Sequence, residues 1–101
     1  MYGMYYDRAG KPIAAEEWGP LFQDPKYKIL KQTYLNAEDV FISTVWLGMD
    51  HAFGRGPPLI FETMVFKGQG VGEALDCKRY STEAEALHGH DETIDEWQHD
   101  D

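Results

Sequence analysis

Scarcity bounds this chain before any motif does. It holds one cysteine, Cys77, which excludes an internal disulfide and any metal site built from cysteines. No stretch approaches the ~18–20 consecutive apolar residues that a membrane-spanning helix needs. The opening Met1-Tyr2-Gly3-Met4 carries neither the basic nor the apolar run of a secretory signal, so export is not expected. Lysine and arginine are absent from residues 81–101. No repeat, low-complexity tract or linker-like shift in composition interrupts the chain. The expectation is one soluble, cytosolic domain over residues 1–101, with 98–101 a frayed acidic tail.

What is present supports a packed core. The chain has 101 residues, 43% of them hydrophobic, with three tryptophans, six tyrosines and five phenylalanines. That is enough apolar surface to offset chain entropy. A chain of this size can bury about 65% of its unfolded surface, which is one modest core and no room for a two-domain enzyme.

Charge is placed unevenly. Residues 1–80 hold ten acids and nine bases, whereas 81–101 hold eight acids and no base. Nearly all of the net charge of −9 therefore sits in the last fifth of the chain. A basic footprint for DNA, RNA or an anionic membrane is missing, so direct binding to any of them is not expected. A basic partner would be steered to the C-terminal segment. The plainer reading is an acidic face that aids solubility.

Met4-Tyr5-Tyr6 reads as a short strand running into a turn at Asp7-Arg8-Ala9-Gly10. Ala14 to Phe22 reads as a short helix, with Glu16 and Glu17 in its first turn and Trp18, Leu21 and Phe22 on one face. Pro20 inside it would clash with the carbonyl of Glu16. Tyr27 to Leu35 is ambiguous but holds good strand formers. Val40 to Leu47 and Leu59 to Phe66 are rich in β-branched and aromatic residues and apolar on both pleat faces, which predicts central strands. Lys67 to Asp76, with three glycines, reads as a loop, and Cys77 to Tyr80 as a short strand. Thr82 and Glu85 have capping-box spacing, and Ala84, Leu87, Ile94 and Trp97 mark one face of the helix that follows. Gly89 weakens that helix by about 1 kcal/mol relative to alanine. The order is β-α-β-β-β-β-α with short connections, which implies antiparallel pairing. The predicted fold is α+β: a three- to five-stranded antiparallel sheet with one short N-terminal helix and one C-terminal helix packed on it.

The most unusual local feature is the stretch 48–58, which joins the two best strands. It is long for a hairpin loop and holds Asp50, His51, Phe53 and Arg55 beside Trp46. These residues would supply stacking, acceptor, titratable and cationic groups to a small ligand. The alternative is an ordered surface loop with Phe53 tucked beneath it. The Walker spacing of a phosphate cradle is missing.

The run Ser43-Thr44-Val45-Trp46-Leu47-Gly48, then Asp50-His51, Phe53-Gly54 and Gly56-Pro57-Pro58-Leu59-Ile60-Phe61-Glu62-Thr63-Met64-Val65-Phe66, resembles a group of small bacterial and phage proteins. Residues 5–13 and 79–86 match that group's flanking segments, so the resemblance covers most of the chain. The acidic segment after Gly89 departs from what every member would carry. The resemblance implies a setting only, a small cytosolic accessory protein that is phage-borne. No residue role comes with it.

His88 with Glu92 and Asp95 with His99 are i, i+4 pairs, but no metal motif is met and no metal or cofactor is expected. His90, near the apolar stripe, reads as a partly buried core-edge histidine. Ser43 or Thr44 with His51 and Asp50 would be a triad in name only. Adjacent Asp50 and His51 cannot readily hold that geometry, and there is no nucleophile elbow. Enzymatic activity is therefore not expected. Glu62 lies in an otherwise apolar strand, where pairing with Arg55, Arg79 or Lys67, or an edge position, is its simplest account. Cys77 reads as a small buried hydrophobe.

Three functional expectations follow. The first is a protein-interaction module presenting Glu83, Glu92, Asp95 and Glu96 to a basic protein surface. In a phage setting, that surface would be the nucleic-acid groove of a host defence nuclease complex, making the chain an anti-CRISPR or anti-restriction inhibitor. The second is a small-ligand site at Trp46, Asp50, His51, Phe53 and Arg55. The third is a homodimer in which a second copy covers a sheet face or edge.

Overall fold

The computed structural model of the protein describes residues 4–50, 56–70 and 72–98. Its elements in chain order are strands β1 (Tyr5–Tyr6) and β2 (Pro12–Ile13), helices α1 (Ala15–Phe22) and α2 (Pro25–Lys28), strands β3 (Ile29–Leu35), β4 (Val40–Trp46), β5 (Phe61–Lys67) and β6 (Ala74–Tyr80), and helix α3 (Glu83–Trp97). The fold is α+β. Strands β3-β4-β5-β6 form an antiparallel meander in that order, and β1 pairs with β2 in a separate two-stranded ribbon. Among the described residues no helix is long and apolar enough to cross a membrane.

Strands β4 and β5 are central, as their two-sided apolar composition predicts. The ambiguous segment before β4 divides in two. Asp24 accepts from the backbone N–H of Lys26 at 3.0 Å and starts the single turn α2, and the chain then extends into β3 with an irregularity between Ile29 and Lys31. Strand β6 begins three residues before the predicted Cys77. Pairing with β5 (Val65↔Asp76, Phe66↔Ala74) extends it, with Leu75 displaced at a bulge. α1 runs through Pro20. Both Pro20 and Glu16 are exposed, so water can take the carbonyl that the proline leaves unbonded.

Helix α3 lies across one face of the sheet and touches all four strands. Beneath it the apolar side chains gather in two clusters. One holds Leu35, Val40, Ile42 and Val65, with Ile94 and Trp97 against them. The other holds Trp46, Ile60, Phe61 and Ala86 inside an aromatic shell that includes Trp18, Phe22, Tyr27 and Tyr80. Each fully buried large side chain contributes on the order of 1.5–3 kcal/mol.

The N-terminal ribbon and α1 seal the end of the sheet where β4 finishes. The Trp46 indole N–H donates to the Tyr6 carbonyl at 3.0 Å, and the Trp18 indole N–H donates to the Leu47 carbonyl at 2.9 Å. Gly48 sits between the two indoles at φ +73°, where an added Cβ would fall 2.5–2.7 Å from both rings. Only glycine fits there. Arg8 fastens the ribbon to α3 through a two-pronged pair with Glu83, both bonds at 2.8 Å.

Gly89 is a second position set by close approach. A Cβ there would lie 2.2–2.4 Å from the hydroxyl and ring of Tyr80. The intrinsic gain of about 1 kcal/mol from alanine is therefore opposed by overpacking of about 1–3 kcal/mol. Gly89→Ala is expected to lower the denaturant midpoint, although helix propensity alone calls for a rise. A raised midpoint would contradict the packing of Tyr80 on α3.

Candidate functional site

α3 forms where local chemistry starts it. The Thr82 hydroxyl accepts from the Glu85 N–H at 3.1 Å, and the Glu85 carboxylate accepts in return from the Thr82 N–H at 3.1 Å. Glu83 and Glu85 in the first turn suit the helix dipole. The inward side carries Ala86, Gly89, His90 and Thr93, all buried. The outward side carries Ala84, Glu85, His88, Glu92 and Asp95, all exposed.

The acids of α3 divide by position. On one flank Asp91 accepts from Lys31 Nζ at 2.8 Å, and on the other Glu96 accepts from Lys78 Nζ at 2.6 Å. The hydrogen bond from Lys31 holds the Asp91 carboxyl below its usual range, and the bond from Arg8 does the same for Glu83. Of the four residues expected to face a partner, Glu83 and Glu96 are thus tied to cations of the same chain. Glu92 lies 3.7 Å from His88 Nε2. Asp95 makes no ion pair among the described residues. The outward ridge is Glu85, Glu92 and Asp95, with no lysine or arginine on the helix.

Beneath this ridge lies a feature the sequence did not disclose. His90 is wholly buried, more so than the core-edge position expected for it. Its Nδ1 is 2.7 Å from the Thr44 hydroxyl, and its Nε2 is 2.8 Å from the Thr33 hydroxyl. Thr44 continues to Thr63 at 2.5 Å. These groups form a polar layer between the two apolar clusters. Threonines at positions 33, 44 and 63 are each unremarkable strand residues. Only the register Thr33↔Ile42 and Thr44↔Thr63 brings them under one helix position.

The loop 48–58 is described in part. Asp50 accepts from the Leu59 N–H at 3.1 Å, and its own N–H donates to the Met4 carbonyl. Trp46 is wholly buried. His51, Phe53 and Arg55 lie outside the described residues, as does the end of the acidic tail from residue 99.

On the sheet face away from α3, Glu62 is buried and accepts from Arg79 Nε at 3.1 Å and from the Cys77 thiol at 3.3 Å. Cys77 itself is exposed, not buried as expected, because β6 is the edge strand of the sheet. Partial burial, then the bond to Glu62, pushes its thiol pKa up, away from nucleophilic use. A shallow hollow of about 330 Å³ between α2 and the sheet is lined by Phe22, Lys28, Ile29 and Val45 among others, with no carboxylate, histidine or thiol. Among the described residues no three His, Cys, Asp or Glu gather as a metal site. No protein-family model, curated protein or solved structure matches the chain.

Burial, and then the charge of Lys31, lower the pKa of His90 below its ordinary 6.5, with Asp91 opposing. The unfolded chain therefore takes up a proton first as pH falls. The stability this group confers is complete above about pH 6.5 and declines below it, by at most about 1.4 kcal/mol per pH unit. Urea titrations between pH 7.5 and 5 should show this slope in the wild type and lose it in His90→Asn. A wild-type stability flat across that range would contradict the buried, neutral imidazole.

Proposed function

We propose that this protein acts by binding another protein through the outward acidic ridge of α3, and not by catalysis. The observation that carries this reading is the ridge itself: Glu85, Glu92 and Asp95 stand outward while Arg8, Lys31 and Lys78 pair with Glu83, Asp91 and Glu96 beside it. The placement of Asp95 adds support. It lies in the last turn of α3, which holds no basic residue, and a carboxylate there opposes the helix dipole at a cost of about 0.3–1 kcal/mol. Local rules are broken most often where function requires it.

The partner is a basic protein surface, reached by electrostatic steering and sensitive to salt. In the setting suggested by the phage-like segments, it is the nucleic-acid groove of a host defence nuclease complex, which the ridge would occupy. The ridge is sparser than a duplex, which carries one charge per ~1.7 Å of axis, so it would occupy part of such a groove and would not copy it.

Glu92→Lys with Asp95→Lys reverses the ridge without touching the Arg8, Lys31 or Lys78 pairs. Tagged wild type and this variant should be compared in pull-downs from bacterial lysate at low and high salt. The expected result is a nucleic-acid-binding protein that the wild type captures, that salt releases, and that the variant fails to retain at a melting temperature no lower than the wild type's. Equal capture by both would sink the reading.

A further inference from the structure

The outer edge of β6 carries a pattern that the α3 ridge does not use. β6 ends the sheet, and among the described residues no strand pairs with its far side. Two bonds show which of its backbone groups face outward. The Tyr80 carbonyl accepts from the Ile60 N–H at 2.9 Å and so points toward β5. Alternation then points Lys78 and Asp76 the same way, leaving the N–H and C=O of Cys77 and Arg79 on the free side. The Cys77 N–H agrees, since its partner is the adjacent Asp76 carboxylate at 2.9 Å and not a strand. The middle of the edge thus offers an exposed donor held only by a local side chain.

The side chains along this edge are self-complementary about one residue. Suppose a second copy is laid antiparallel with the two-fold axis at Cys77. Asp76 then stands opposite the partner's Lys78 and Lys78 opposite the partner's Asp76, on the α3 side of the sheet. Leu75, exposed at 49%, comes close to the partner's Arg79, whose aliphatic stem can cover it. Moving the axis by one residue either way destroys the match. Centred on Asp76 it opposes two aspartates, and centred on Lys78 it opposes two lysines. Opposite charges directly across an antiparallel pair stabilise it, and like charges do the reverse.

We infer that two copies of this chain pair through β6 in the Cys77-centred register, joining two four-stranded sheets into one across a two-fold axis. The bulge at Leu75 twists the start of the edge and confines the pairing to the segment 75–79. Asp76 exchanges its bond to the Cys77 N–H for the partner's Lys78, and the freed N–H donates to the partner's Cys77 carbonyl. The pairing leaves the outward ridge of α3 uncovered, so it stands or falls apart from the proposed function.

Sedimentation equilibrium of the full chain across a concentration series tests this, together with a short bis-maleimide that links only cysteines. The wild type should dimerise reversibly, and the reagent should give a dimer band through its single cysteine. Asp76→Lys leaves the Lys78–Glu96 pair in place. It should weaken association roughly tenfold or more, because the two-fold axis repeats the like-charge contact. The double exchange Asp76→Lys with Lys78→Asp, which gives up the Lys78–Glu96 pair, should restore association relative to Asp76→Lys, its fold checked by circular dichroism. A wild type that stays monomeric overturns the inference. So does a dimer that neither crosslinks at Cys77 nor responds to Asp76→Lys, and so does a folded double variant that remains monomeric.

Discussion

The seating of His90 on two strand threonines, one of them backed by a third, is the constraint on which the rest of this structure depends. Apolar contacts alone would let α3 slide or rotate on the sheet at little cost, since hydrophobic burial has no direction. The imidazole removes that freedom. Both of its nitrogens are bonded to hydroxyls, from β3 at Thr33 and from β4 at Thr44. A shift of one turn would leave the ring buried without partners, at about 1–3 kcal/mol for each orphaned group, while Thr44 would keep only Thr63. The polar layer splits the core into two clusters, and in return it specifies a single register of helix on sheet.

Everything outside the helix inherits that register. With His90 inward, Asp91 falls toward Lys31 on β3 and Glu96 toward Lys78 on β6, one pair on each flank. As exposed pairs these contribute little to stability. Their effect is on the charge pattern, because they neutralise the flanks and leave the ridge of Glu85, Glu92 and Asp95 as the acidic surface presented to solvent. The Arg8–Glu83 pair does the same at the start of the helix while tying in the N-terminal ribbon. An acidic segment that looked uniform as a string becomes a narrow stripe once folded.

The parts of the fold that were legible in the sequence were those written in local chemistry. Thr82 and Glu85 announce the start of α3, and the β-branched runs at 40–47 and 59–66 announce the central strands. The parts that were not legible depend on partners distant in the chain. β2 is two residues long and includes Pro12, so it has no period to detect. Ala74, Leu75 and Asp76 extend β6 only because β5 is there to pair with them. His90 lies near the expected apolar stripe, but no spacing rule shows that Thr33 and Thr44 will meet it, or that Thr63 will back Thr44. For the site the same division holds. The outward position of Glu92 follows from helical period, but Ala84 and Leu87, expected on the packed face, are exposed, and the helix instead buries Ala86, Gly89, His90 and Thr93; the capture of Glu83 by Arg8 spans most of the chain and could not be read from it. Gly89 shows how propensity can mislead, since a residue that weakens the helix locally is what admits Tyr80.

The claim that α3 and the sheet form one unit through this polar layer is tested most directly by hydrogen exchange at single-residue resolution. The amides of His90 and Thr93 should exchange at the same free energy as those of Thr44 and Thr63, because the helix cannot leave its seat without unfolding the sheet's core. Exchange of the α3 amides at a much lower free energy, with the strands still protected, would contradict the account and make the helix a loosely docked appendage.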